Sequence, residues 1–220
     1  MIGYLLSAAL GVALSPIPII VVVLVLGGPK ARSSGPAFAS GWIVGLAAVS
    51  TLAAVLFDGA EVEGSTRSTA VYLTKVASGA FFLYLASTSW KKRPRRGEDA
   101  VLPPWMTSVE TVGAPKALIL GVGLSGVNHK NLVLALTAAA SVAEAGLDVA
   151  QGAIAVMAFV LLGSLTVIGP VAFHLVAPAR ATRPMVAIRE FMTDNSAVIS
   201  MAILLLLGGT LLGDGLSGLL

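Results

Sequence analysis

A chain of 220 residues with 56% hydrophobic and 11% charged side chains is composed like a membrane protein, since a soluble domain carries about 25% charged residues. It has no cysteine, which excludes a disulfide framework or thiolate metal site, and His129 and His174 are too far apart for a local ligand pair. The formal charge of +3 is small, so where the charges sit says more than their sum.

Six apolar stretches of about 20 residues, enough to cross a bilayer, are predicted near 3–27, 36–58, 69–90, 117–141, 149–176 and 197–217. Met1-Ile2-Gly3-Tyr4 has no basic residue before the first stretch, so 3–27 is expected to be a retained span rather than a cleaved signal. Inside it stand Ser15, Pro16 and Pro18. Each proline lacks an amide hydrogen and clashes with the carbonyl four residues back, so the helix should break there and free the carbonyls of Val12 and Leu14. Gly41 and Gly45, beside Ser40, form a face suited to close helix packing in the second span. Asp58, Glu61 and Glu63 read as a solvated rim.

Eleven of the fourteen Lys and Arg fall in the first, third and fifth connections, leaving Arg67 and Lys75 on the other side and Lys130 within a span. The positive-inside rule then predicts a multi-pass plasma-membrane protein with both termini outside the cytoplasm. The run from Lys91 to Arg96 is a topology signal that can also hold anionic membrane lipids. No folded domain presents it, so nucleic acid is not an expected partner. Residues 103–112, with Trp105, Val109 and Val112 at helical spacing, and 184–192, with Ile188, Phe191 and Met192, are predicted as interfacial helices. Asp194 or Asn195 would then cap the last span.

An offset of 113 positions sets Ser15–Val21 against Asn128–Leu134, each about 12 residues, or roughly 18 Å, into the first span of its half. Three spans per half invert the second relative to the first. The fold class expected is therefore an all-α integral membrane protein of six transmembrane helices, two inverted three-helix repeats with broken first helices. The first repeat is 1–90, the basic cytoplasmic linker with its interfacial helix 91–116, and the second repeat 117–220. Broken helices facing each other at the midplane form the substrate site of many secondary transporters.

The polar run Asn128-His129-Lys130-Asn131 lies in a segment apolar from Ala117 to Ala140. A charge at the centre of a spanning helix costs about 2.5–3.5 kcal/mol, and such residues usually mark a substrate or ion path. Lys130 has no carboxylate within a turn. It could be a neutral amine, face a hydrated cavity, bind an anionic ligand, or hydrogen-bond the carbonyls freed by Pro16 and Pro18. Asn128 and Asn131 could contact ligand or broken backbone, and His129 is a candidate proton relay. No catalytic triad, phosphate loop or intramembrane carboxylate pair is present, so neither an enzyme nor a cofactor is expected.

Leu14-Ser15-Pro16-Ile17-Pro18, Gly28–Arg32 leading to Phe38–Trp42, Pro104-Trp105-Met106, Ser125–Leu132, and Arg189–Met192 with Leu212-Gly213-Asp214 follow one another along the chain. In that order they resemble the glycolipid-addressing (Sap/Gap-like) membrane proteins of the lysine-exporter superfamily. His129 stands where that family's Asn-Pro-Lys-Asn pattern has proline. The resemblance implies an inverted-repeat transporter fold, a homodimer as an expected assembly, and export of an envelope glycolipid or peptidoglycolipid. The substrate site would comprise Lys130, Asn128, Asn131, His129, Ser15, Pro16 and Pro18. Two rivals stand beside it. One is an exporter of a small molecule such as an amino acid or ion; the other is a non-transporting scaffold that recruits envelope lipid synthesis machinery.

Overall fold

The computed structural model describes residues 2–58, 64–91 and 104–219, and every regular element among them is helical. The acidic rim at Glu61 and Glu63 and the basic residues 92–96 lie outside the described residues.

The first expected span is two helices, α1 (Ile2–Ala13) and α2 (Pro16–Gly27), bent by 47°. Ser15 between them is extended (φ −69°, ψ 118°), and its amide turns back to Val12 O at 3.2 Å instead of closing an α-helical turn. Pro16 then occupies the first turn of α2, where a missing N–H costs nothing. From Pro16 to Leu26 only Ile17 is exposed. A helix apolar all round belongs inside a bundle, and α2 lies among α3 (Ala31–Asp58), α8 (Val149–Val176) and α9 (Pro178–Leu219).

The fourth expected span is also double: α6 (Ala114–Gly126) and α7 (His129–Glu144) meet at 56°. No proline stands at this break. Asn128 Oδ1 accepts the Lys130 amide at 3.0 Å, capping α7 and giving the chain a reason to restart. Between α7 and α8, Gly146 takes φ 61°, in the left-handed region that suits glycine. Asp148 and Gln151 then open α8 with a reciprocal capping box.

Residues 31–55, α8 and α9 are each long and apolar enough to cross a membrane, and five units qualify when each bent pair is one span. The third expected span, in α4 (Gly64–Lys91), has the length, but Arg67, Thr69, Thr74, Lys75 and Ser78 dilute its apolar character. It packs along α9 through glycines. A Cβ at Gly79 would stand 2.7 Å from Leu212 N, and one at Gly208 3.0 Å from Gly79 O. The same device joins α3 to α6, where Gly41 abuts the Leu118 carbonyl and Gly121 the Phe38 carbonyl. The close-packing face expected at Gly41 and Gly45 is thus the α6 contact.

Gly41→Leu should wedge α3 from α6 and destabilise by about 1–3 kcal/mol, the usual cost of overpacking. Gly123→Leu, on α6 but facing open space, should not. Thermal unfolding of both variants in detergent checks the contrast, and equal Tm values would refute this packing.

Two segments at the end bearing Lys30, Lys116 and Arg180 differ from expectation. Residues 104–111 form a short helix, α5 (Pro104–Thr107), and a 3-10 turn (Ser108–Thr111). The tighter turn shifts the buried face to Met106 and Val109 and leaves Trp105 exposed. Segment 184–192 is no separate helix, because α9 is continuous from Pro178 to Leu219. Asp194 and Asn195 sit within it, and Asn195 Nδ2 donates back to Phe191 O at 2.9 Å rather than capping a new start.

Candidate functional site

Breaking two helices inside a bundle leaves carbonyls that need donors, because water is scarce there. The two breaks solve this differently. At the α6–α7 break the donor is local: Asn131 is fully buried, and its Nδ2 donates to Leu124 O at 3.3 Å and Ser125 O at 3.2 Å. Its Oδ1 is buried without a hydrogen-bond partner.

At the α1–α2 break the sequence offers Ser15, whose side chain makes no capping bond, and two prolines, which have none to make. The donors come from α7 and α8. Lys130 Nζ donates to Gly11 O at 2.7 Å, and Thr166 Oγ1 of α8 donates to Ala13 O. Gly11 matters sterically as well, since a Cβ there would stand 2.7 Å from Leu207 Cδ1 and 3.2 Å from Leu134 Cδ1.

The structure therefore brings Lys130 to Gly11 O, one turn before Ser15 and the prolines Pro16 and Pro18, while Asn128 and Asn131 serve their own helix ends. The carbonyls served are those of Gly11 and Ala13; that of Val12, freed from Pro16, takes the Ser15 amide instead. His129 stands apart. It is exposed, with its ring edge-on to Phe81 at 6.4 Å.

Two cations escaped the sequence reading. Lys75, assigned there to the outer connections, is only 2% exposed within α4, with Nζ 4.9 Å from the Tyr4 ring centroid and 5.4 Å from that of Tyr72. Rings at that range attract an ammonium, and its position inside the predicted 69–90 span was the available signal. The other is Arg189 of α9, whose Nη1 meets Glu110 Oε1 of the 3-10 turn at 3.2 Å.

A cavity of about 820 Å³ lies between the 3-10 turn and the start of α6, and two more occupy opposite ends of the bundle. One, of about 770 Å³, lies between the α2–α3 turn and α9 and is edged by Lys30, Arg32, His174 and Arg189. The other, of about 690 Å³, lies between the ends of α3 and α7 and the start of α8; its walls are apolar apart from Thr51 and Asp148. Asp148 is committed to the α8 cap. One end of the molecule thus suits an anion and the other an acyl chain.

The family model described as Sap, sulfolipid-1-addressing protein, matches residues 5–217. No curated protein and no solved structure matches the chain.

Proposed function

The chain belongs to the Sap, sulfolipid-1-addressing protein family, and from that premise we propose that it exports, or assists the export of, an anionic envelope glycolipid by a secondary-transporter mechanism. The observation that carries this is the pair of cavities, basic at one end and apolar at the other, with two broken helices between them. A charged headgroup and its acyl chains need those two environments.

We read the helical units as six spans in two inverted halves, as in the lysine-exporter superfamily. The packing supports a two-fold relation: α3 lies on α6 as α8 lies on α1, and α2 meets α9 as α7 meets α4. The positive-inside rule makes the basic end cytoplasmic. Reporter fusions at Arg95 and Arg183 should be cytoplasmic and one at Gly64 external; a cytoplasmic signal at Gly64 would overturn the orientation.

Envelope lipids of a deletion strain and its complemented parent test the function itself. Loss of one anionic glycolipid from the surface, with its precursor retained inside, is the expected result. An unchanged surface profile would refute it. The scaffold alternative draws support from Lys130, whose ammonium already serves Gly11 O as a structural donor. It predicts lost synthesis rather than a retained precursor.

A further inference from the structure

The basic-end cavity is built differently from a solvated basic face. Its inner wall is apolar, formed by the buried Val23, Leu24 and Met185, and its mouth carries Lys30, Arg32 and Arg189. A volume of about 770 Å³ lies within the range of small-molecule sites. Three cations, Lys30, Arg32 and Arg189, line it with a single carboxylate, Glu110, which meets Arg189 Nη1 at 3.2 Å.

That carboxylate marks where an anion fits. The Glu110 and Arg189 side chains are 45% and 40% exposed, so water screens their pair and holds it weakly. The turn bearing Glu110 is anchored independently. Its backbone carbonyl abuts Gly28, where a side chain would collide, and Ser34 Oγ donates to Val112 O at 2.8 Å. Glu110 can therefore release Arg189 by swinging its side chain alone. A sulfate or phosphate ester would take its place, offering the guanidinium fork two oxygens as a carboxylate does.

We propose that this cavity seats the anionic headgroup of an amphiphile, a sulfate or phosphate ester, on Lys30, Arg32 and Arg189, with Glu110 the internal carboxylate that the headgroup displaces. This deepens the export reading by giving it a loading site, and rests on that reading only for the amphiphile's being cargo.

The test uses the full chain in phosphatidylcholine nanodiscs and a decyl sulfate carrying a diazirine, with labelled peptides mapped by mass spectrometry. Label should fall on residues 23–26 and 185–186. Arg189→Gln should lower it about tenfold, the effect of losing one charge-assisted hydrogen bond. Glu110→Gln should raise it, because Arg189 is freed. Arg180→Gln makes the same charge change outside the cavity and should leave it unaltered, and a neutral diazirine decyl glucoside should not label these residues.

Equal losses in the Arg180 and Arg189 variants would reduce the site to diffuse charge and overturn the proposal. So would equal labelling by the glucoside, or a fall with Glu110→Gln. Adding phosphatidylglycerol distinguishes the source: suppressed labelling assigns the cavity to resident lipid, and undiminished labelling to exported amphiphile, each an anionic headgroup in this site. The deletion-strain lipid profile is independent, so failure of export and failure of this site would be told apart.

Discussion

Lys130→Met should leave the protein in the membrane at near-normal abundance while the surface lipid falls about tenfold or more. Two opposing terms set the abundance. Removing the ammonium strands Gly11 O, which Lys130 Nζ reaches at 2.7 Å, and an unpaired buried carbonyl costs about 1–3 kcal/mol. Removing a charge from the middle of a span returns about 2.5–3.5 kcal/mol. These nearly cancel, and methionine keeps most of the stem volume.

Transport has no such compensation. In the export reading, Lys130 joins the broken helices of the two halves and is the donor an anion would meet at the midplane. A hydrogen bond to a charged group is worth about 1.5–3 kcal/mol, or tenfold and upward. Lys130→Arg should restore function only in part, because a planar fork does not replace a compact ammonium beside Gly11. Membrane abundance and surface lipid measured together decide it. Abundant protein with normal surface lipid would remove Lys130 from the transport path and favour the scaffold.

Asn131→Leu should do the reverse and act chiefly on folding. The side chain is fully buried and serves two carbonyls, Leu124 O and Ser125 O, which leucine cannot. At about 1–3 kcal/mol for each stranded carbonyl, with a small return from removing the unpartnered Oδ1, the loss is about 2–5 kcal/mol. That is a large part of the 5–15 kcal/mol by which proteins are commonly stable. Membrane abundance should drop severely, and Asn131→Gln should not rescue it, because the longer stem misplaces the amide. Asn128→Ala, which removes one helix cap, should cost only about 0.5–2 kcal/mol. Abundance blots of the three variants rank these effects, and an Asn131→Leu protein as abundant as wild type would mean the break is held by other contacts.

The positions of the helical units were legible in the sequence because each depends on local composition. The stretch 149–176 coincides with α8, and the first, second and fourth spans fall within α1–α2, α3 and α6–α7. The first break was legible for the same reason, since Pro16 and Pro18 lack the amide wherever they stand. The start of α9 was not. Asp194 and Asn195 look like caps, yet α9 runs through them, and within it Asn195 bonds back one turn to Phe191.

From the sequence alone follow the membrane class, the family, the break at Pro16 and Pro18, and the clustering of positive charge around Lys30, around Lys91 to Lys116 and around Arg180 to Arg189. Composition and motif order carry these without any long-range contact, whereas the break before His129, which has no proline, was expected only from the repeat. The tertiary structure alone decided which donor serves which freed carbonyl. Lys130 reaches Gly11 across 119 positions and Thr166 reaches Ala13 across 153, pairings that no local period encodes. It also decided that Lys75 is buried within reach of two tyrosine rings, and that Arg189 and Glu110 meet at the lining of a cavity. Long-range placement depends on how α3 and α6, or α4 and α9, close on their glycines. The polar side chains are then carried to whatever unpaired backbone lies opposite.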